Sequence, residues 1–141
     1  MAFSIIAATT DLARQRIAQM LISGKSFQVN EFSIGDAGHD PLDPTVALTP
    51  DVTLVNCPST LFGPEPIDSA TLITPYCIEF VCVVGASEYA GPVSNICLLG
   101  QIVYPPTDIE YGSYFLYAIG NFPLQTKVIG KDMTLTVTIT F

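Results

Sequence analysis

From Met133 to Phe141 the chain alternates without a break: Met133, Leu135, Val137, Ile139 and Phe141 are interleaved with Thr134, Thr136, Thr138 and Thr140. Successive side chains of a strand point to opposite faces, so a period of two yields one apolar face and one face of hydroxyls. A helix, with its period of 3.6, cannot sort these residues. The segment therefore demands a sheet with one face against a core. Its threonine face suits water or a neighbouring strand equally. Asp132 is the only charge beside it, and an apolar strand left unpaired invites association. Two partners are open: another strand of the same chain, or a strand of another subunit.

The charge content narrows what surrounds that sheet. Asp, Glu, Lys and Arg make up 13% of the 141 residues, against about 25% in an ordinary soluble domain. With 49% hydrophobic residues the chain is not disordered, since disorder needs the opposite balance. The length suits one domain spanning residues 1–141, with one sizeable core. A spanning helix needs about 20 apolar residues in a row, and the most apolar run, Phe80 to Ala86, is far shorter. The run Phe3 to Ala8 has the hydropathy of a leader. No basic residue precedes it and no small-residue cleavage pattern follows, so it is expected to be the first strand of the mature protein.

All five basic residues, Arg14, Arg16, Lys25, Lys127 and Lys131, lie outside Ser26–Thr126, while eleven of the thirteen acids lie inside it. The middle therefore carries −11 and the two ends together +3. Nucleic-acid binding requires a basic stripe that releases counterions from phosphate, and none exists. Docking to an anionic membrane fails for the same reason. The acids serve either solubility or a charge-matched docking surface. Few charges and high hydropathy together point to a subunit whose surface is covered by neighbours.

Along the chain, a short strand (Phe3, Ile5, Ala7) leads to a helix. Thr9 or Thr10 can cap it, Asp11 suits the positive end of its dipole, and Ala13, Ile17, Met20 and Leu21 share one face. Gly24 is placed to end it in the left-handed conformation. A strand from Phe27 to Ile34 runs into the turn Gly35-Asp36-Ala37-Gly38. His39 to Ser69 holds six prolines and is expected to be a long ordered loop with edge strands at most. One long strand is expected over Ala70 to Val84, with Tyr76, Ile78, Phe80, Cys82 and Val84 on one face. Asn95 to Tyr104 is apolar on both faces, as a buried central strand would be. Pro105-Pro106 and Gly112 bracket a connection before a strand from Tyr114 to Gly120. The fold class expected is α+β: one N-terminal helix on a mainly antiparallel sheet or sandwich, with a long Pro-rich loop.

Residues able to do chemistry are scattered. Cys57, Cys77, Cys82 and Cys97 show no knuckle or dithiol spacing. They are expected as buried free thiols, consistent with synthesis in a reducing cytoplasm. His39 stands beside Asp36, Asp40 and Asp43, but in a Gly/Pro turn where aspartate serves its own backbone. Glu79 and Glu110 could be imagined as a glycosidase pair, with no Trp to form a sugar platform. No phosphate loop or serine elbow is present. The chain is expected to be no enzyme and to use no cofactor or metal.

The order of several short motifs is more telling. The helix closes on Gly24-Lys25-Ser26-Phe27, and the next strand ends in Ile34-Gly35-Asp36-Ala37-Gly38. Leu54-Val55-Asn56 lies in the Pro-rich segment. Asn95-Ile96-Cys97-Leu98-Leu99-Gly100 and Tyr117-Ala118-Ile119-Gly120-Asn121-Phe122-Pro123 follow later. From about Thr9 to Pro123 this order resembles the N-terminal domain of bacteriophage tail-collar and tail-fibre proteins. The resemblance implies a structural protein of the virion tail or baseplate, made in the host cytoplasm. It implies fibre attachment, without the shaft or receptor-binding tip that host recognition would use. Expected partners are other tail, baseplate or fibre proteins and further copies of the chain, a trimer being one candidate state. The residues expected at partner contacts are Gly35, Asp36, Gly38, His39 and Asp40 in the turn, Tyr104, Tyr111 and Gly112 in the later loop, and Arg14 and Arg16 for electrostatic docking. The alternative is a small carbohydrate- or receptor-binding β module using Tyr104, Tyr111 and Tyr114.

Overall fold

A computed structural model describes residues 1–141. Strands take up 56% of the chain and helix only 9%, so the expected α+β class gives way to a mostly β fold with one short helix. The helix did form where its caps predicted. It is a single 13-residue element, α1 (Asp11–Ser23), between the N-cap Thr10 and the left-handed Gly24. The strands are β1 (Ala2–Ile6), β2 (Ala8–Thr9), β3 (Ser26–Gly35), β4 (His39–Asp40), β5 (Asp43–Ala47), β6 (Phe62–Pro66), β7 (Ser69–Thr74), β8 (Cys77–Val84), β9 (Gly91–Tyr104), β10 (Tyr114–Lys127) and β11 (Met133–Thr140). No helix is long and apolar enough to cross a membrane.

Two sheets share one core. The first has the order β1-β11-β8-β7, the second β2-β10-β9-β3-β6, and β4-β5 form a small ribbon. The chain passes from the first sheet to the second at Ala7, between β1 and β2. The alternating C-terminal strand pairs on both sides within its own chain, parallel to β1 and antiparallel to β8. Met133, Leu135, Val137 and Ile139 are buried, and Thr134, Thr136 and Thr138 are half-buried on the other face. Phe80, Cys82 and Val84 of β8 join them, and Phe32, Ile34, Ile96, Leu98, Phe115 and Tyr117 complete the core from the second sheet. Burying each large side chain contributes about 1.5–3 kcal/mol.

The segment expected as one strand from Ala70 to Val84 is the hairpin β7–β8. Pro75 has no amide to give a ladder, so the chain turns at Thr74-Pro75-Tyr76 and Tyr76 is exposed instead of sharing the core face. The Pro-rich stretch contributes β4, β5 and β6. β6 holds Pro64 and Pro66 and lies at a sheet edge, where a missing donor is tolerated. α1 packs by Ala13, Leu12 and Ile17, whereas Leu21 is exposed against expectation. Its first turn is fastened directly to the sheet by hydrogen bonds. Thr10 Oγ1 accepts from Ala13 N (3.1 Å) and donates to the Leu116 carbonyl (2.7 Å), which fastens the N-terminal end to β10.

The double-sided β9 has a specific cause. Its inner residues Ile96 and Leu98 enter the core, while outer Cys97 and Leu99, with Leu116 and Ile119 of β10, form a second apolar cluster covered by Leu54 and Cys57 of the loop after β5. Cys57 and Cys97 are joined by a disulfide. The expectation of four free thiols is thereby corrected. The free ones are half-buried Cys77 and buried Cys82, whose thiol is pushed up to about 12 by burial and, secondarily, by Asp68. Such a thiol is inert at neutral pH.

Candidate functional site

The expected contact residues separate into two groups in space. The turn Gly35 to Asp40 faces inward. Ala37 N donates to Asn95 Oδ1 (2.8 Å), Gly38 N to Ser94 Oγ (2.9 Å), and Asp36 N to Ser59 Oγ (3.2 Å), while Ser59 Oγ donates to Asp36 Oδ1 (2.8 Å). His39 Nδ1 lies 2.8 Å from Ser94 Oγ. Ser94 and Asn95 are wholly buried, and Asn95 Nδ2 donates to the Ser59 carbonyl (3.2 Å). The network seats the turn and the loop that carries Cys57 on β9. Gly35 and Gly38 are glycines because a Cβ would overlap the backbone carbonyls of Ser59 and Ser94 respectively. Asp40 accepts from Leu42 N (2.8 Å), and Asp43 from Thr45, as turn aspartates do. No group of three His, Cys, Asp or Glu side chains converges as a metal site would require.

The second group lies where α1 ends beside the β9–β10 connection. Tyr104, Tyr111 and Gly112 sit on this connection, and Arg16 reaches it. Arg16 Nη1 bonds Glu110 Oε2 at 2.6 Å, and Lys25 Nζ lies 3.2 Å from Asp108 Oδ2 and 3.7 Å from Glu110 Oε2. The Arg16 guanidinium also stands 5.8 Å from the Phe115 ring centroid, a cation–π distance. The basic N-terminal end and the acidic middle of the sequence therefore meet within the molecule. Arg16 is occupied as a strut, and Arg14 is the arginine left exposed. The tip itself is a compact turn: Glu110 N donates to Asp108 Oδ1 (2.8 Å), Gly112 N to the Ile102 carbonyl (2.8 Å), and Gly112 has φ +81°.

Large apolar side chains at this end lie uncovered. Ile109 is 98% exposed, Ile22 90% and Leu21 83%, and Tyr104 and Tyr111 are about half exposed. The Lys25–Asp108 pair brings the last turn of α1 alongside the tip that carries Ile109. Exposed large apolar side chains on two adjoining elements are the place where this surface offers a contact. Asp108, Ile109 and Glu110 fall inside the loop from Tyr104 to Gly112 that the sequence marked as exposed, whereas Lys25 and Ile22 were not expected at a contact and Leu21 was expected on the packed face of the helix. The segregation of charge was the one signal that pointed toward the ion pairs.

The molecule has one shallow pocket of about 200 Å³, lined by Val55, Asn56, Cys57, Leu99, Tyr114, Phe115 and Leu116. That is smaller than the ~300–1,000 Å³ of ordinary ligand sites. Its one titratable group, Tyr114, donates to Glu31 Oε1 (2.7 Å), a bond that raises the phenol above its usual range. No nucleophile with an adjacent base lines this pocket. The Glu79 and Glu110 carboxylates stand on different elements, β8 and the tip.

Asp108 is held below the ordinary carboxylate range, first by the Glu110 amide and then by Lys25 and Arg16. A lowered acid stabilises the fold fully above its unfolded value of about 3.9, and that contribution is lost as pH falls through the lower folded value. Acidification below pH 4 is therefore expected to loosen the tip before the core. Amide exchange at Asp108–Gly112, compared with Leu135–Ile139, measures this. Equal response of both segments would contradict it. Compared with models of protein families, with curated proteins and with solved structures, the chain matches none.

Proposed function

We propose that the chain is a structural subunit of a bacteriophage tail or baseplate, acting as a fibre-attachment or adaptor piece in virion assembly. The observation that carries this reading is the exposed apolar end, Leu21, Ile22, Ile109 and Tyr111, held rigid by Arg16–Glu110 and Lys25–Asp108. The order of motifs from Thr9 to Pro123 supplies the kind of assembly by resemblance. A surface fixed by ion pairs and turn hydrogen bonds loses little entropy on docking, which favours a permanent structural contact. The polar turn around Gly38 serves the fold, and the docking role passes to the helix end and the hairpin tip, with exposed Arg14 alongside them on α1. Partners in this reading are neighbouring tail, baseplate or fibre proteins.

Tyr104, Tyr111 and Tyr114 all belong to the same hairpin end, and this favours the glycan- or receptor-binding module as the second reading. The two readings are separated by one pair of variants. Ile109→Glu, at a fully exposed site, is expected to leave folding intact and to reduce incorporation into particles by at least about tenfold, a modest interface penalty. Tyr111→Ala is expected to leave glycan-array signals unchanged at background. Specific glycan binding lost in Tyr111→Ala, with normal incorporation of Ile109→Glu, would reverse the choice.

A further inference from the structure

Between β5 and β6 the chain crosses the outer face of the second sheet as a strap from Thr49 to Pro58. Both ends are pinned. Leu48 N donates to the Gly38 carbonyl and Leu61 N to the Ile34 carbonyl, each at 2.8 Å, and Ser59 is tied to Asp36 and Asn95. From Thr49 to Pro58 the backbone makes one hydrogen bond to the rest of the molecule, the Val52 carbonyl accepting from Asp11 N at the start of α1 (2.9 Å). No residue of the strap belongs to the main core. Leu54 and Cys57 cover only the smaller cluster of Cys97, Leu116 and Ile119. The Cys57–Cys97 bond is therefore the principal hold on the strap.

The two cysteines are unequally placed. Cys97 is wholly buried beneath the strap, whereas Cys57 is half-buried and lines the shallow pocket beside Val55, Asn56 and Leu99. A small thiolate therefore reaches Cys57 first. In thiol–disulfide exchange the attacked sulfur keeps the incoming group and the other sulfur departs as thiolate. Donors stand ready for that charge. Asn95 Nδ2 lies 3.8 Å from Cys97 Sγ and 3.7 Å from Cys57 Sγ, and Ser33 Oγ lies 3.7 Å from Cys57 Sγ. A hydrogen bond to the charged form favours it. Cys57 Sγ is also 3.2 Å from the Ser59 carbonyl, an acceptor that the sulfur can use only when it carries a proton. The surroundings thus hold partners for the reduced pair.

We propose that Cys57–Cys97 is a reversible redox latch on the strap, opened by small thiols and closed by the corresponding disulfide. A thiolate of the reagent attacks Cys57 Sγ, the bond to Cys97 breaks, and its electron pair leaves on Cys97 Sγ. A second thiolate attacks the reagent's sulfur in the mixed disulfide and releases Cys57. Two reagent thiols are thereby oxidised to one disulfide, the two cysteines are reduced, and the protons given up by the reagent end on Cys57 and Cys97. With the latch closed, Leu54 lies over the cluster of Cys97, Leu116 and Ile119. With it open, the strap keeps only the Asp11–Val52 bond between its pinned ends and uncovers that apolar face, while the main core, which holds Cys82, is untouched. The latch does not depend on the tail reading.

Reduced glutathione added to the oxidised chain without denaturant tests the latch, with acid-quenched samples alkylated and mapped by peptide mass spectrometry. The early adduct is expected on Cys57, at least about tenfold more abundant than on Cys97. In the reduced protein Cys97 should alkylate at least about tenfold faster than Cys82, and Cys82 should stay as slow as in the oxidised protein. Oxidised glutathione should then restore the Cys57–Cys97 bond. A bond that glutathione cannot open without denaturant, or a first adduct on Cys97, would overturn the proposal. So would a Cys97 that resists alkylation after reduction, since the strap would then be held without the bond. Cys82 accelerating together with Cys97 would overturn it as well, because the bond would then be a staple of the whole fold.

Discussion

Replacing Cys57 and Cys97 together by serine is expected to lower the stability of the folded chain by about 4 kcal/mol. The two cysteines are 40 residues apart in sequence, and closing a loop of that length removes this much entropy from the unfolded ensemble. The bond also holds Leu54 and Cys57 over Leu99, Leu116 and Ile119, so its loss frees the loop to leave an apolar sheet face open to water. Urea titration of the oxidised chain and the double variant measures the difference. Thiol labelling supplies a check: in the folded oxidised protein Cys77 alone should react readily, and Cys82 only on unfolding. A difference below about 1 kcal/mol, with all four cysteines labelled, would show that the loop is held without the bond.

Gly38→Ala is expected to be nearly as damaging, at about 3 kcal/mol or more. The added Cβ would overlap the Ser94 carbonyl oxygen and come within 2.6 Å of its carbon, and Ser94 belongs to the backbone of buried β9, which cannot move aside. Displacing the turn instead would break the bond from Gly38 N to Ser94 Oγ and the bond from Leu48 N to the Gly38 carbonyl. The first is buried, and an unsatisfied partner there costs about 1–3 kcal/mol. Gly112→Ala is the control. Gly112 has φ +81° but open space around it, so the cost should be only the local conformational one of about 1–2 kcal/mol. Thermal unfolding of the two variants ranks them, and equal losses would mean that the turn is free to shift.

Local signals were legible in the sequence and long-range ones were not. The Thr10 cap, the Gly24 stop and the alternating β11 depend on near neighbours along the chain, so their residues announce them. The two-sided apolar pattern of β9 also read correctly as a central strand, because burial on both faces leaves a continuous apolar run. By contrast, Pro75 splits one apolar run into a hairpin, and the run of hydrophobic residues masked the turn. The weight given to the helix made the fold look α+β, yet it is a single 13-residue element among eleven strands. Cys57 on a loop and Cys97 on a strand carry no spacing that foretells their bond. The turn at Gly38 looked like an exposed contact loop because its residues suit any turn. Its true constraint is Ser94, 56 residues away. The basic ends and acidic middle did contain the Arg16–Glu110 and Lys25–Asp108 pairs, but the sequence left open whether the match lay within the chain or across an interface.

The direct measurement of function is quantitative mass spectrometry of purified phage particles from cells that carry this gene, with antibody labelling to place the chain. A tail or baseplate subunit should appear in a fixed copy number per particle, with label confined to the tail or its fibre junction. Particles that lack the chain, or label elsewhere on the virion, would contradict the proposed role.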